Sequence, residues 1–445
     1  MKKIYFFLIF NIFGFASAQN SDYKKSVDSL MDYLTKENSF LGNIELRKGN
    51  EIVYEYNSNP LEPKNGQYRI GSITKIFTAI VIFQLIEENK LTLDTKLIDF
   101  YPDIKNAKDI TIENLLSHTS GIFNFTAWEN YYSTRNQKFS KAQILEIINN
   151  GKPEFKPKKD CVYSNSNYTL LGYIIEDLTK KSYTVNVKER IIDKIDLKHT
   201  FVAESEQDVN NIKSYLFNGE DWYEDMSSNP SLPFSAGAIV SSTSDLNQLM
   251  NQLFHGDLVS KKSLSTMQTL KNKTIGHGFF AAPFYDKICW GHTGRIDEFK
   301  SATFYFPAED LYLSILTNGS RGNLNDVTVG LLSKYYGKKY SYPTFYHSEI
   351  YEPKALVFTG TYRAKLAGLI TIGEFEITEA KNGYLFMSEL QDGKTGERAL
   401  LERIDANTLY LRSAKGKLIF TLENDKVKKL ILEQGKMSIK CKKIK

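Results

Sequence analysis

The chain has 445 residues, of which 42% are hydrophobic and 24% charged, so it is longer than one typical domain and apolar enough to build a full core. Its formal net charge of +5 is too small to indicate a nucleic-acid-binding protein, and the sequence contains no basic helix or aromatic stacking motif of that kind. Three cysteines (Cys161, Cys289 and Cys441) are too few for a disulfide framework. An oxidising compartment would allow one pair, and free, buried thiols are the simpler interpretation.

Residues 1–18 have the three parts of a secretory signal peptide. Lys2 and Lys3 supply the charged start, residues 4–15 form a short apolar stretch, and Ala16-Ser17-Ala18 is a small-residue cleavage site. The stretch is too short for a comfortable membrane span. No cysteine follows the cleavage site to carry a lipid, and no later apolar run is long enough to cross a bilayer. We therefore predict an exported protein, periplasmic or secreted, whose mature form has no transmembrane segment.

From residue 19 to residue 345, the pattern is that of one domain in which strands flank a helical middle. The apolar spacing of residues 22–37 predicts an amphipathic leading helix, and the alternation of Asn43–Tyr56 predicts a β-hairpin. Helical segments follow to about residue 200 and return at Asp245–Phe254. Short β-like runs close the domain; they are Ile288–Trp290, Ala302–Phe306 and Leu311–Leu316. This order predicts an α+β fold in which the first strands pair with the last.

A second, smaller domain is predicted for residues 346–445. The segment Lys338–Pro353 is rich in Tyr, Ser and Pro and has the composition of a linker. Beyond it, short alternating runs separated by turn residues predict an all-β barrel or meander. No catalytic cluster is visible there, so we expect an ancillary or partner-binding role.

Ser72 and Lys75 form the most informative pair in the chain. A serine hydroxyl is a poor nucleophile at neutral pH and needs a group that takes its proton. On a helix, positions i and i+3 share a face, so Lys75 can reach Ser72. The apolar run of residues 76–86 predicts a buried helix, and burial lowers the pKa of a lysine. The spacing alone is weak evidence, because Ser21 and Lys24 share it.

Two further patches could complete such a site. Tyr163 and Asn165 are two residues apart, so in an extended segment both side chains point the same way. A close Lys75 ammonium would lower the pKa of the tyrosine toward that of a usable base. His292-Thr293-Gly294 follows an alternating, β-like segment, where a glycine lets backbone and substrate approach closely.

In their order and spacing, these three patches resemble the penicillin-recognising serine hydrolases: class C β-lactamases, D-alanyl-D-alanine carboxypeptidases, D-aminopeptidases and related esterases. Ser-x-x-Lys is an established signature of this group. The resemblance runs from about residue 40 to residue 335 and includes the segments Leu115–Ile122, Tyr163–Leu171 and Ser235–Asp245. It implies a β-lactamase/transpeptidase-like fold, an antiparallel sheet with a helical subdomain, for residues 19–345.

The resemblance also implies roles for individual residues. Ser72 is expected to be the acylated nucleophile, Lys75 its proton partner and Tyr163 the general base. Asn165 is expected to orient the substrate amide. The oxyanion hole is expected at the backbone N–H groups of Ser72, at a helix N-terminus, and of Arg295. The wall that holds the substrate is expected to consist of His292, Thr293, Gly294 and Arg295.

Two positions depart from the pattern of the β-lactamases. Many members carry lysine where this chain has His292, and a neutral histidine holds a substrate carboxylate less firmly. Relatives with histidine there include D-aminopeptidase-like and esterase-like members. Arg295 and Glu298 stand where small residues are common. Since a guanidinium binds carboxylates bidentately, Arg295 is a candidate to bind the substrate carboxylate in place of the lysine that His292 replaces. The alternative is that Arg295 narrows the cleft or faces solvent.

These observations predict a serine hydrolase that forms an acyl-enzyme with peptides containing D-amino acids, esters, related amides or β-lactams. Its partners would be small molecules or peptides, peptidoglycan fragments among them. The alternatives are a sensor that keeps the fold without turnover, and a chain whose main task lies in its C-terminal domain. The six histidines show no close metal-ligand spacing, so neither a metal nor another cofactor is expected, and His118 is expected to be structural.

Overall fold

The structure, a computed structural model, describes residues 10–445 apart from 59–65, 257, 349–354, 367–369 and 392–393, with the backbone alone at 10–21, 366, 370, 391 and 394. The helices are α1 (Phe10–Lys36), α2 (Thr74–Glu87), α3 (Ile112–Leu116), α4 (Tyr131–Thr134), α5 (Lys141–Asn150), α6 (Asn165–Thr179), α7 (Tyr183–Val187), α8 (Glu206–Val209), α9 (Phe234–Gly237), α10 (Thr243–His255), α11 (Lys261–Met267) and α12 (Leu324–Tyr335). The strands of the first part are β1 (Leu41–Lys48), β2 (Glu51–Asn57), β3 (Tyr68–Arg69), β4 (Phe201–Val202), β5 (Tyr215–Phe217), β6 (Trp222–Glu224), β7 (Ile239–Ser241), β8 (Phe280–Phe284), β9 (Lys287–Ile296), β10 (Phe299–Phe306) and β11 (Leu311–Gly319). Those of the second part are β12 (Gly360–Leu366), β13 (Ile370–Glu379), β14 (Leu385–Gln391), β15 (Lys394–Asp405), β16 (Thr408–Leu411), β17 (Gly416–Glu423), β18 (Lys426–Gln434) and β19 (Met437–Lys443).

The leading helix α1 confirms the amphipathic helix predicted over residues 22–37. Its apolar stripe is buried and packs with α12 against one face of the central sheet; the stripe consists of Val27, Leu30, Met31 and Leu34. The predicted signal peptide lies outside the described residues up to residue 9, and residues 10–18 are described only as helical backbone. Across the described ranges, no helix is long and apolar enough to cross a membrane.

Six antiparallel strands form the central sheet in the order β2-β1-β11-β10-β9-β8. The predicted hairpin over residues 43–56 is β1 and β2. β1 also pairs with β11, and Ile44 lies opposite Ile315. The first strand of the sheet in chain order therefore lies beside the last one, as predicted. Every residue of β11 is buried, because α1 and α12 cover one face of the sheet and α10 covers the other.

Helix α2 is the centre of the helical region. Of its 14 residues, 12 are buried, and α6, α7 and α9 pack around it. Nine of the 14 residues are apolar and they lie on all sides of the helix, so it has no wide polar face that needs solvent. The buried helix predicted after Ser72 is therefore confirmed, and it carries Lys75 into the interior of the domain.

The C-terminal part is a closed barrel of eight antiparallel strands, β12 to β19, in which β12 pairs with β19. Side chains alternate between the interior and the surface, and the interior is apolar. Among the residues that fill it are Tyr362, Ile377, Leu385, Leu418 and Leu430. The predicted all-β barrel is confirmed.

Glu402, on β15, connects this barrel to the rest of the protein. Its carboxylate accepts hydrogen bonds from Arg412 Nε over 2.7 Å and from Arg321 Nε over 3.1 Å, and Arg321 follows β11 in the first domain. The side chains of Glu402 and Arg321 are 1% and 2% exposed. Since each buried charge needs its partners, this cluster fixes the barrel against the sheet.

Replacement of Glu402 by alanine should lower the free energy of unfolding by about 3–5 kcal/mol, because it leaves two buried guanidinium groups without their carboxylate. Thermal or denaturant unfolding of the full chain measures this loss. Glu423→Ala is the matched control: it removes an exposed ion pair with Lys428 and should cost no more than about 1 kcal/mol. Equal, small losses in both variants would contradict the role given to Glu402.

Candidate active site

Ser72 and Lys75 lie together at the start of α2. Ser72 sits in one 3₁₀ turn, Gly71–Ile73, that leads directly into α2, and Lys75 is the second residue of the helix. The Lys75 Nζ donates a hydrogen bond to the Ser72 Oγ over 2.9 Å, so the contact predicted from their spacing is confirmed. Gly71 has φ +50°, and a Cβ there would lie 2.8 Å from the backbone of Arg295. Glycine is therefore required at the residue before the serine.

Lys75 is almost completely buried, and its remaining hydrogen bonds go to neutral oxygens. The Nζ donates to Asn165 Oδ1 and to the Ala236 carbonyl, each over 2.8 Å. No carboxylate of the described residues lies within salt-bridge distance of it. Burial therefore lowers the pKa of Lys75 well below its usual value. An amine in this state can release its proton and accept the one on Ser72.

Tyr163 approaches the same point from the loop before α6. The Lys75 Nζ lies 5.0 Å from the centroid of its ring, and the ring of His118 stacks on it at 4.3 Å. Burial raises the pKa of the phenol, and the Ser72 hydroxyl offsets only part of the rise. The expectation that Lys75 would lower this pKa is wrong, because desolvation of the buried phenolate outweighs every nearby stabilising group. At neutral pH the phenol keeps its proton.

Asn165 is the first residue of α6, so it does not share one extended segment with Tyr163. Both side chains nevertheless reach Lys75. While Asn165 Oδ1 accepts from Lys75, its Nδ2 donates to Thr126 Oγ1 over 3.3 Å and to Asn124 Oδ1 over 3.4 Å. These contacts fix which end of the amide faces the lysine. No sequence signal marks Asn124 or Thr126, since their role arises only from the packing of their loop on α6.

The third motif lies on β9. His292 is 3% exposed, and its pKa is lowered to about 3, first by burial and then by the charge of Lys75, so the imidazole is neutral at physiological pH. Thr293 is exposed and lines the groove outside the site. A Cβ at Gly294 would collide with the carbonyl oxygen of Ile70. Glycine thus allows β9 to lie directly against the segment that carries the serine.

Arg295 does not present a free guanidinium to the cleft. Its side chain forms an ion pair with Glu397, on β15 of the barrel, and its Nη2 lies 3.6 Å from Glu298 Oε1. Burial raises the pKa of the Glu298 carboxyl. The Arg295 backbone lies against Gly71, beside the serine, which is the position that the expected oxyanion hole requires.

The cleft over Ser72 has a volume of about 250 Å³ and adjoins a groove of about 840 Å³ between the sheet and the barrel. Its charged lining consists of Asp225, Asp297, Glu298 and Glu397, with Arg135 and Arg295. Carboxylates therefore outnumber guanidinium groups on this wall. Asp225 and Glu397 carry no motif, and they reach the cleft only through the tertiary fold.

Within the described part of the chain, no group of three or more His, Cys, Asp or Glu side chains is placed to hold a metal ion. Cys161, Cys289 and Cys441 are free thiols, as expected; Cys289 and Cys441 are buried, whereas Cys161 is only half-buried. His118 accepts a hydrogen bond from the backbone N–H of Ser164 over 3.1 Å, which agrees with its expected structural role beside Tyr163.

The sequence profile of the beta-lactamase family matches residues 44–332. This chain belongs to the beta-lactamase family. Like the members it resembles, this beta-lactamase-family protein is a serine hydrolase. A teichoic acid D-alanine hydrolase from Staphylococcus aureus is 26% identical to it over 275 residues, which make up 60% of this chain and 64% of that protein. The chain thus spans a little less than two thirds of the length of that curated relative.

Solved structures of related proteins show the same fold. A D-stereospecific amidohydrolase from Streptomyces has a TM-score of 0.63 at 24% identity, covering 71% of this chain and 99% of its own. An octameric penicillin-binding protein homologue from Pyrococcus abyssi has a TM-score of 0.61 at 20% identity, covering 94% of this chain and 99% of its own. The β-lactamase/transpeptidase-like fold predicted for this family member is confirmed.

The pH dependence of acylation should follow Lys75 and not His292. Labelling of Ser72 by a fluorophosphonate should slow as the pH falls, because only the neutral amine accepts the serine proton. With its pKa near 3, His292 stays neutral across that range. The fall in labelling rate at low pH should therefore persist in the His292→Asn variant. Ser72→Ala is the control and should not be labelled. Disappearance of that fall in His292→Asn would assign the titration to the histidine instead.

Proposed function

We propose that this protein is an exported hydrolase that removes D-alanyl or related D-aminoacyl groups from esters and amides through an acyl-enzyme on Ser72. The observation that carries this proposal is the 2.9 Å hydrogen bond between Ser72 and a buried Lys75 with lowered pKa. The relatives support the choice of acyl group: one hydrolyses D-alanine from teichoic acid, and the other is a D-stereospecific amidohydrolase. Export rests on the signal-peptide pattern of residues 1–18.

The first half of the reaction forms the acyl-enzyme. Ser72 Oγ attacks the substrate carbonyl carbon while the neutral Lys75 amine takes the hydroxyl proton. The backbone N–H groups of Ser72 and Arg295 hold the resulting oxyanion. The bond to the leaving group then breaks, and the leaving alcohol or amine receives the proton from Lys75 through the Tyr163 phenol. Because the phenol is protonated at neutral pH, Tyr163 serves as a proton carrier rather than as a permanently charged base.

The second half of the reaction releases the product. A water molecule attacks the carbonyl of the acyl-Ser72 ester and gives a proton to Lys75. The same oxyanion contacts apply, because the geometry at the carbonyl is the same. The ester bond to Ser72 breaks, the serine oxygen recovers its proton from Lys75, and the free D-amino acid leaves.

Substrates without a carboxylate on the leaving group fit this cleft best. A peptide that ends in D-Ala-D-Ala has such a carboxylate, whereas a D-alanyl ester or a primary amide has none. His292 is neutral and Arg295 is already paired with Glu397. Neither of the two residues predicted to bind a substrate carboxylate is therefore an available cation. Asp225, Asp297 and Glu397 on this wall are themselves paired with arginines, so the expected preference rests on the lack of a free cation for a carboxylate and not on an excess of negative charge.

A panel of four substrates tests the proposal: a D-alanyl glycerol ester, D-alanine amide, a peptide ending in D-Ala-D-Ala and a chromogenic cephalosporin. The ester should be cleaved fastest and the peptide at least about tenfold more slowly, because its carboxylate meets no free cation. The enzyme recovered from the periplasm of the expression host should begin at Gln19, and Ser72→Ala should be inactive on all four.

Preference for the peptide would contradict the proposed substrate class. A stable adduct on Ser72 without release of product, detected as intact mass, would instead favour the sensor.

Glu397→Gln should raise the activity on the D-Ala-D-Ala peptide. The substitution removes the closer of the two carboxylates at the Arg295 guanidinium and leaves only Glu298, at 3.6 Å. The guanidinium can then bind the carboxylate of the leaving group, and we expect a gain of about tenfold in kcat/KM. Adding Arg295→Ala should abolish the gain. Glu389→Gln is the control, since Glu389 lines the same groove and loses the same charge but is not paired with Arg295. An unchanged peptide rate in Glu397→Gln, or the same gain in Glu389→Gln, would refute this explanation.

A further inference from the structure

Positive charge is concentrated at the end of the chain. Residues 426–445 contain eight lysines and one glutamate, a net charge of +7, whereas the whole chain carries only +5. The remaining residues are therefore net negative, at −2. The net charge of the whole chain is small although this segment is strongly basic. The segment forms the last two strands of the barrel, β18 and β19.

The barrel geometry brings several of these lysines together on its outer surface. Along β19, exposed and buried residues alternate: Lys440 and Lys442 are exposed, whereas Ile439 and Cys441 point inward. β12 lies next to β19, and its Lys365 is directly opposite Lys440. On the other side, β18 adds the exposed Lys429. We refer to Lys365, Lys429, Lys440 and Lys442 as the basic face.

The basic face is not neutralised by the protein itself. Lys365 opposes Lys440, and Arg363 opposes Lys442, so like charges meet across one strand pair. Arg363 is paired with Glu374, but among the described residues no carboxylate lies within salt-bridge distance of the four lysines. Like charges directly opposite each other destabilise a strand pair. Lysines often protect the free edge of a sheet, but here β12 and β19 close the barrel and leave no edge to protect.

The basic face and the catalytic cleft lie on opposite sides of the barrel. In the closed ring of eight strands, β15, which carries Glu397, is separated from β19 by three strands in either direction. One side of the barrel therefore completes the wall of the cleft, while the other presents unpaired lysines to solvent. An anionic partner can occupy the basic face without entering the cleft.

We propose that the basic face binds a polyol-phosphate chain of the kind that carries D-alanyl esters. The choice of this polymer rests on the proposed function, since the chain bound there would also bear the ester that Ser72 cleaves. Along a strand, alternate lysines are about 7 Å apart, and lysines on neighbouring strands are about 5 Å apart. Several phosphates of one chain can therefore be contacted at once, with release of their counterions.

A polymer fits this surface better than a membrane does. The face occupies three adjacent strands of a small, closed barrel, so it is convex, whereas a bilayer is flat on that scale. Proteins that bind membrane surfaces combine basic residues with apolar or aromatic side chains that enter the interface. The outward positions beside the lysines include Thr371, Thr421, Ile431, Glu433 and Ser438; of these, Ile431 is half-buried and is the one apolar side chain, and none is aromatic.

The test compares two triple variants of the full chain. Lys429→Gln/Lys440→Gln/Lys442→Gln removes three charges from the basic face, and Lys138→Gln/Lys152→Gln/Lys156→Gln removes three exposed charges from the first domain. The probe is unesterified poly(glycerol phosphate). The first variant should bind it at least about tenfold more weakly, with the slope of log K against log salt reduced by about 2, and the second should bind like the wild type. Both should hydrolyse the small D-alanyl glycerol ester at the wild-type rate.

Equal weakening in both variants would overturn the proposal, as would tighter binding to phosphatidylglycerol vesicles or to duplex DNA than to the polymer. Failure of the wild type to bind the polymer, with the small ester still hydrolysed, would remove this inference and leave the proposed function standing. Binding of the polymer without hydrolysis of the small ester would refute the proposed function while supporting the basic face as a binding surface.

Discussion

The burial of Lys75 is the constraint on which the rest of the site depends. A lysine in an apolar interior is costly to keep charged, and here its Nζ donates to three neutral oxygens, from Ser72, Asn165 and Ala236, and lies over the rings of Tyr163 and Tyr168. Each oxygen comes from a different part of the chain, at the start of α2, at the start of α6 and on α9. The hydrogen bonds that stabilise the lysine therefore also bring the catalytic elements together. Activation of the serine and local folding are consequences of the same contacts.

The sheet contributes the second half of the site through direct contact between backbones. Gly71 and Gly294 lie where β9 meets the segment before α2, and a side chain on either would collide with the other segment. This contact places the backbone of Arg295 beside Ser72, where an oxyanion would form. In the proposed reaction, the carbonyl would therefore lie between a helix that supplies the proton acceptor and a strand that supplies hydrogen-bond donors.

Strand alternation is sufficient to find the strand that carries His292, because it depends on near neighbours. Ser72 and Lys75 needed the order of all three motifs as well, because Ser21 and Lys24 share their spacing. Local patterns are also sufficient to predict a buried α2 and an all-β C-terminal part. The sign of the Tyr163 pKa shift could not be predicted in this way, since it depends on how much water the finished fold removes. Glu397 lies more than 300 residues from Ser72 and has no motif, so only the docked barrel reveals it. The net charge of +5 likewise gave no indication of a basic face, because charge of opposite sign elsewhere in the chain cancels it.

The barrel changes how the specificity of this enzyme should be understood. Under the proposed function, the neutral His292 offers no cation to a carboxylate, and Glu397 occupies the Arg295 guanidinium. The expected selection against carboxylate-bearing leaving groups would then come from a domain outside the matched family region. The same domain carries its unpaired lysines on the opposite side. One surface of the barrel would bind a polymer rich in phosphate, while the opposite surface would disfavour a leaving group that carries a carboxylate. Since Glu402 fixes the barrel against the sheet, both surfaces keep a constant relation to Ser72, and discrimination between substrates does not require the cleft itself to move.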